Sequence, residues 1–344
     1  MTGMQSGFLD LPSDPEAMFE ALYAMGLTDG FPIIPPTDDR VERFIAASGR
    51  PGSQVIAPIP PHNAPGTVEK IAINAVMAGC RPEYMPVVIA VVEAMADPAF
   101  NFLGITTTTN PVGPLILING PIRHALDVNC GRGALGPGRR ANATIGRAVR
   151  LLMVNIGGAI PGEVDKATLG MPGKYSMCLG EMEEESPWEP FHVDRGFAAG
   201  DSTVTVVGPQ GNMNIFTPWK KADSILAALA SAMAALADNN TMRGQGNPIL
   251  FLNPGHAGLL AAQGYSRLRL QQELWHRAGI PAAALPTEVS AIEEGSRVMV
   301  DGHSMPTARP EDILIAVAGG PEAYHNTYCA TFGDWAVTRP IRLP

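Results

Sequence analysis

Residues 249–256 read Ile249-Leu250-Phe251-Leu252-Asn253-Pro254-Gly255-His256: four apolar residues in a row, a polar stop, then a proline. An unbroken apolar run of this length belongs to a strand covered on both faces, and a proline just after it suits the first turn of a helix. The pattern recurs on both sides. Thr203-Val204-Thr205-Val206-Val207 is a strand with an Ala-rich helix after it over residues 221–236, and residues 313–318 form a last strand that ends in Gly319-Gly320-Pro321. Leu115-Ile116-Leu117-Ile118-Asn119 is another short apolar run of the central-strand kind. Strands alternating with helices predict an α/β fold with a mostly parallel sheet and flanking helices.

Towards the N-terminus the chain is rich in glycine and proline and its signals are helical. Ser13-Asp14-Pro15-Glu16 supplies a cap, a first-turn proline and an acid at the positive helix end, and Gly26 closes that helix. Phe31-Pro32-Ile33-Ile34-Pro35-Pro36 is barred from helix and reads as an extended crossing segment. Thr37 caps a second helix that stops near Gly49, and a third from Thr67 carries Val68, Ile71, Ala72, Ala75 and Val76 on one face up to Gly79. Residues 87–95 are apolar almost all round, so that helix is buried. Phe102-Leu103-Gly104-Ile105 reads as an apolar strand, with Thr106 to Asn110 as a loop before the strand at 115. No short-period repeat and no low-complexity linker appears. A boundary near residue 200 divides the chain into a helical, irregular α/β part over residues 1–200 and an α/β part over residues 201–344.

The 344 residues are 46% hydrophobic and 17% charged, enough apolar surface to offset the entropy of ordering and so incompatible with a disordered chain. No apolar run approaches the ~18 residues of a membrane span. A formal charge of −9 argues against a nucleic-acid partner, whose phosphates need Lys and Arg. Met1 to Asp10 has neither a basic n-region nor an apolar h-region, so a cytoplasmic protein is expected. Cys80, Cys130, Cys178 and Cys329 lie far apart with no CxxC pair, which reads as free thiols in a reducing compartment.

The densest stretch chemically is Asn129-Cys130-Gly131-Arg132-Gly133-Ala134-Leu135-Gly136-Pro137-Gly138-Arg139-Arg140, which leads into a basic helix over residues 142–155. Glycine backbone N–H groups, a helix start at Asn142 and the guanidinium groups of Arg139, Arg140 and Arg147 suit a carboxylate or phosphate. It is neither a Walker loop nor a dinucleotide-binding GxGxxG. The alternative is a tight loop whose arginines pair with the protein's own acids. Lys174, Cys178 and Glu181 form a second group, a thiol with a base and an acid in reach. Neighbouring carboxylates work against a thiolate there, whereas arginines beside Cys130 favour one. His256 and His325 follow strand ends, where ligands bind in open α/β sheets. They are candidates for proton transfer or, with His303 and Asp301 or Glu322, for holding a divalent metal, although no HExxH or HxH spacing supports a metal. Thr107, Thr108 and Asn110 offer hydroxyls and an amide to a substrate, or satisfied hydroxyls in a turn.

Several phrases carry a resemblance that runs over most of the chain: Val68-Glu69-Lys70-Ile71-Ala72-Ile73-Asn74 through Gly79-Cys80-Arg81-Pro82-Glu83-Tyr84, then Arg140-Ala141-Asn142-Ala143-Thr144-Ile145-Gly146-Arg147, Gly173-Lys174-Tyr175-Ser176 and Ser186-Pro187-Trp188. They resemble an uncharacterised bacterial family similar to proteins encoded beside small thiol or selenol proteins with a UGSC motif. The resemblance implies added weight for thiol chemistry and no residue roles. The chain has no UGSC motif itself and would be the partner.

These readings converge on an enzyme of lyase or hydratase type, which adds to or eliminates from a small carboxylate or acyl compound. Cys178 or Cys130 and His256 or His325, with Glu181 and Lys174, would do the chemistry; Arg139, Arg140, Asn142, Arg147, Thr107, Thr108 and Asn110 would bind the substrate. No cofactor is expected. A metal-dependent hydratase or hydrolase is the first alternative, and a non-catalytic subunit of a thiol- or selenol-dependent complex the second. Expected partners are the small anionic substrate and either a homo-oligomer or a small thiol or selenol protein, with no membrane.

Overall fold

A computed structural model describes residues 5–236, 238–286 and 297–344. The chain opens with α1 (Pro15–Ala24) and α2 (Asp38–Ser48), then a hairpin of β1 (Val55–Ile59) and β2 (Ala64–Thr67), and α3 (Val68–Ala78) and α4 (Met85–Met95). The caps are those the sequence announces, except that Thr37 precedes α2 without a side-chain cap bond. Asp14 accepts from the Ala17 N–H, Thr67 from the Lys70 N–H, and Gly49 and Gly79 end α2 and α3 in the left-handed conformation that glycine adopts without strain. Next come α5 (Phe102–Thr107), β3 (Leu115–Asn119), α6 (Ile122–Ala125), α7 (Arg140–Asn155), β4 (Cys178–Gly180), α8 (Phe191–Asp194), β5 (Thr203–Val207) and β6 (Met213–Phe216). The remainder is α9 (Ala222–Met233), α10 (Asn239–Arg243), β7 (Ile249–Leu252), α11 (Pro254–Ala262), α12 (Arg267–Arg277), a small sheet of β8 (Ile280–Pro281), β9 (Val298–Val300) and β10 (His303–Met305), then β11 (Leu314–Val317), β12 (His325–Cys329) and β13 (Val337–Pro340).

Two four-stranded sheets dominate, in the orders β13-β5-β3-β4 and β6-β12-β7-β11. The expectation of a mostly parallel sheet is corrected: in each, one pair is parallel (β3 with β4, β7 with β11) and the other two are antiparallel. The continuous apolar runs have another cause. Leu115 and Leu117 pack with Ile249, Phe251, Leu314 and Ala316 in a core between the sheets, while Ile116 and Ile118 face α3, α4 and α7, and Leu250, Leu252 and Ile315 face α9, α11 and α12. Each sheet is thus covered by helices on one face and by the other sheet on its second, so alternating polar positions vanish whatever the strand direction.

The two sheets share more than order. Leu117 lies opposite Thr205 and Leu179, and Thr205 opposite Thr338; Phe251 lies opposite Thr327 and Ala316, and Thr327 opposite Asn214. One register therefore describes both, with β3, β4 and β5 matching β7, β11 and β12. Helix α4 covers β5 and β13, as α9 covers β6 and β12. The edge strands are exchanged, since β6 follows β5 in the chain but pairs with β12, and β13 follows β12 but pairs with β5. At the crossing, the matched residues Pro209 and Thr331 bridge each other, flanked by two equivalent bonds, the Gln210 N–H to the Ala330 carbonyl at 2.8 Å and the Phe332 N–H to that of Gly208 at 3.0 Å. The two sheets thus repeat one strand order and register, and each takes its last strand from the other half of the chain.

Phe102 to Thr107 is helical and not a strand. Asn101 caps it, and Thr106 and Thr107 donate their hydroxyls to the carbonyls four residues back, at 2.8 and 2.9 Å. Local side-chain bonds of this kind let β-branched residues remain in a helix. Among the described residues, no single helix is long and apolar enough to cross a membrane.

Candidate functional site

The carboxyl ends of the two parallel strand pairs meet, and a buried polar cluster occupies the meeting point. Glu181 directly follows β4; its N–H donates to the Ile118 carbonyl, while the next N–H, of Met182, crosses to the Val317 carbonyl at the end of β11, 2.7 Å away. The Glu181 carboxylate accepts from the Phe191 N–H at 2.7 Å, from Asn119 Nδ2 at 2.5 Å and from the Val317 N–H at 3.3 Å. Its other neighbour is the Arg267 guanidinium at 3.8 Å, already paired with Asp194. No part of Glu181 is exposed, and burial pushes its carboxyl up to about 7 against the pull of Arg267 and the three donors.

Asn119, the last residue of β3, spends both amide hydrogens on carboxylates, donating also to Glu183 Oε1 at 2.9 Å. The Gly120 N–H donates to the same oxygen at 2.7 Å. Beneath lies Arg123, 2% exposed, whose guanidinium pairs with Glu183 and Glu184 at 2.9 and 2.8 Å and also binds the Gly120 and Glu181 carbonyls. Arg123 pulls the Glu184 carboxyl down to about 2. Glu184 and its partner His124 are exposed and join the cluster to solvent. Cys130 Sγ sits 3.6 Å from Arg123 Nη1, yet burial raises its thiol by more than Arg123 lowers it. Three buried polar atoms at this place have no hydrogen-bond partner: Asn119 Oδ1, Thr203 Oγ1 opposite it in the β3–β5 register, and His192 Nδ1, 3.9 Å from Glu183. Buried groups left so are uncommon, and each calls for an explanation.

The structure therefore brings together Cys130 and Glu181 of the candidates named from sequence. Arg123, His192, Asn119 and Thr203 join them unannounced. The nearest sequence signal was Asn119 followed by Gly120-Pro121, an amide at the end of an apolar run, matched by Asn253 before Pro254-Gly255 in the other half.

The other candidates lie elsewhere. Cys178 is on the helix-facing side of β4, in the core beside α7, and burial holds its thiol far above the usual range; Cys80 and Cys329 are pushed up to about 12 in the same way. Lys174 pairs with Asp165 at 2.9 Å, as does Arg150 at 3.0 Å, and burial lowers the lysine. Arg139 pairs with Asp127 at 2.9 Å. Arg140 caps the C-terminus of α3 through the Gly79 and Cys80 carbonyls, at 2.8 and 3.1 Å. Arg147 anchors the crossing segment through Asp29 and the Phe31 and Pro32 carbonyls. Each guanidinium of that loop is thus engaged by the protein itself. Helix α7 starts at Arg140 and not at Asn142, so Asn142 turns inward, donating to the Asn129, Ala134 and Cys178 carbonyls and accepting from the Asn129 N–H. Thr107 bonds back within α5, Thr108 accepts from the Asn110 N–H, and the buried Asn110 Oδ1 has no partner.

In the second half, Asn253 takes the place that Asn119 holds in the first. It donates to His256 Nδ1 at 2.8 Å and to the His325 backbone carbonyl at 2.8 Å, so it touches the ring of the first histidine and only the main chain of the second. His256 is enclosed by Asn253, Asn326 and Thr217, and burial lowers it, which keeps the ring neutral. The His325 ring is exposed, packed against Phe216. Among the described residues, no group of three or more His, Cys, Asp or Glu is placed to hold a metal ion. No protein-family model matches the chain, and no curated protein gives a significant match.

Proposed function

We propose that the chain is an enzyme that moves a proton on a small carboxylate or acyl compound, in an addition or elimination, at the meeting point of the β3–β4 and β7–β11 strand ends. The observation that carries this reading is the pair of carboxyl groups, Glu181 and Glu183, joined through one Asn119 amide and surrounded by three buried polar atoms without partners. A carboxyl that titrates near neutrality accepts and returns a proton at small cost, which suits Glu181 to the general acid–base step. Glu183 accepts from the Gly120 N–H and pairs with Arg123. The fixed charge of Arg123 favours an oxyanion developing on the substrate's carbonyl. Asn119 Oδ1, Thr203 Oγ1 and His192 Nδ1 would take up the substrate's polar atoms. Cys130 packs against Arg123 as a neutral thiol and orients it.

The test is solvent deuterium exchange into a panel of small acids (2-oxo acids, 3-hydroxy acids, malonate, fumarate), followed by proton NMR. The wild-type chain is expected to exchange a carbon-bound hydrogen of at least one (at C3 of a 2-oxo acid, at C2 of the others), and Glu181→Gln to lose about a hundredfold or more of that rate. No labelling by the wild-type chain, or full labelling by the variant, overturns the assignment.

A further inference from the structure

A cavity of about 800 Å³ lies far along the chain's fold from the strand ends, between the segment that precedes α1 and the helices α1, α2, α3 and α7. Its walls include Leu22, Val41, Ile73 and Met77, an apolar lining of the size and kind that takes a small molecule. Lys70 is the only lysine in the lining, and its ammonium makes no ion pair or hydrogen bond among the described residues. Behind it the wall is tied together by amides. Asn74 Nδ2 donates to the Lys70 carbonyl at 2.9 Å, and Asn155 Nδ2 donates to Asn74 Oδ1 at 2.8 Å and to the Leu27 carbonyl at 3.3 Å. The Leu27 carbonyl fixes which way the Asn155 amide points, because only an N–H is acceptable beside it. Asn155 Oδ1 is thereby left buried without a donor. Asp10 and Asp39 stand exposed at the rim, with Asp38 half-buried between them.

We propose that this cavity is a second ligand site, for a monocarboxylic acid with a hydrocarbon body and a hydroxyl near its carboxylate. The unpaired ammonium calls for one negative charge, the orphan amide oxygen for one donor close to it, and the apolar walls for the hydrocarbon. The acidic rim selects against a second negative charge, so a phosphate or dicarboxylate is disfavoured. The segment over residues 6–11 forms one side of the cavity and is held in place by the buried Glu69, whose carboxylate accepts from the Gln5 and Ser6 N–H groups.

Calorimetry on the full chain with 3-hydroxydecanoate, decanoate, decanol and decyl phosphate, each below its aggregation concentration, tests the site. The order of affinity expected is 3-hydroxydecanoate, then decanoate, with decyl phosphate weakest of the anions. Lys70→Met should weaken both acids about tenfold or more while leaving decanol unchanged, and Lys70→Arg should keep most of the affinity. No saturable binding by the wild-type chain, or equal binding of the acids by a folded Lys70→Met chain, overturns the proposal. Tighter binding of decyl phosphate than of decanoate overturns the ligand class.

Discussion

Replacing Glu181 with Gln removes one titrating proton from the meeting point of the sheets and leaves the side chain's size unchanged. In the folded chain this carboxyl titrates at about 7, against an ordinary 4.5. The folded state therefore holds a proton that the unfolded chain has lost, and stability falls as pH rises between the two values. At 1.36 kcal/mol per pH unit the full cost is about 3 kcal/mol, of which about 2.5 kcal/mol falls between about pH 5 and about pH 8.5. The amide is indifferent to pH but has its own cost. Its oxygen can replace the one that accepts from Phe191 and Asn119, which turns its NH2 towards the Val317 N–H and Arg267, donor against donor. An unsatisfied contact of that kind costs about 1–3 kcal/mol at every pH. Glu181→Gln is thus expected to be less stable than wild type near pH 5 and to draw level or pass it near pH 8.5. Urea denaturation of both proteins at each pH gives the double difference, from which the raised carboxyls of Asp238 and Asp334 cancel because both proteins carry them. A stability gap that stays constant to within about 0.5 kcal/mol across that range would refute the account of Glu181 as a carboxyl forced towards neutrality by burial.

Native thiol titration with an aromatic disulfide should find Cys130 first, with Cys80, Cys178 and Cys329 reacting only on unfolding; early reaction of Cys178 would contradict its burial against α7. Gly180→Ala places a methyl inside contact distance of Cys130 Sγ and near Arg123, so a loss of about 1–3 kcal/mol is expected, partly restored by Cys130→Ala in the double variant; additive losses would show that the two do not touch. The clasp at Glu69 should open with acid. Burial, which acts to raise this carboxyl, is outweighed by hydrogen bonds from Ser6 and Gln5, so its stabilisation is present above the ordinary value and lost as pH falls through the lowered one. Hydrogen exchange at the Gln5 and Ser6 amides should accelerate on acidification, and at neutral pH in Glu69→Ala; unchanged protection in that variant would remove the clasp.

Much of the framework was legible because it rests on local chemistry. The strands at residues 115–119, 203–207 and 249–252 begin and end where the apolar runs do, and the helix boundaries at Thr67, Gly79 and Gly49 follow caps that need no tertiary context, while α2 starts after Thr37 without a side-chain cap bond. Strand direction was not legible, since an unbroken apolar run reports burial of both faces and the second sheet supplies one of them. The likeness of the two sheets was hidden for a similar reason. They share register and burial more than residues, and their edge strands are exchanged. The arginine-rich loop shows a different limit: composition gives the charge of Arg139, Arg140 and Arg147 but not whether Asp127, the end of α3 and Asp29 have already claimed it. Arg123 and His192 carried no local pattern, because what distinguishes them is burial beside glutamates some sixty residues away or beyond a turn.

The likeness of the two sheets also bears on where chemistry is to be sought. Matched positions in the two halves make the same backbone bond, Glu181 N–H to the Ile118 carbonyl and Ala318 N–H to the Leu252 carbonyl. The backbone needs nothing from the side chain there, and the second half does with a methyl group. A glutamate in the first half, kept at a cost of about 3 kcal/mol above neutral pH, is therefore not required by the fold. Asn119 and Asn253 make the same point from the other side. Both are buried amides at the end of a central strand, but Asn253 bonds to the neutral His256 and to a carbonyl, whereas Asn119 bonds to two carboxyl groups and leaves its oxygen unpaired. One half has its strand-end polar atoms satisfied; the other holds titratable groups, orphaned acceptors and a buried guanidinium in the same place. Unpaired polarity that the matching place in the second sheet avoids is the physical ground for proposing function at Glu181 and not at His256.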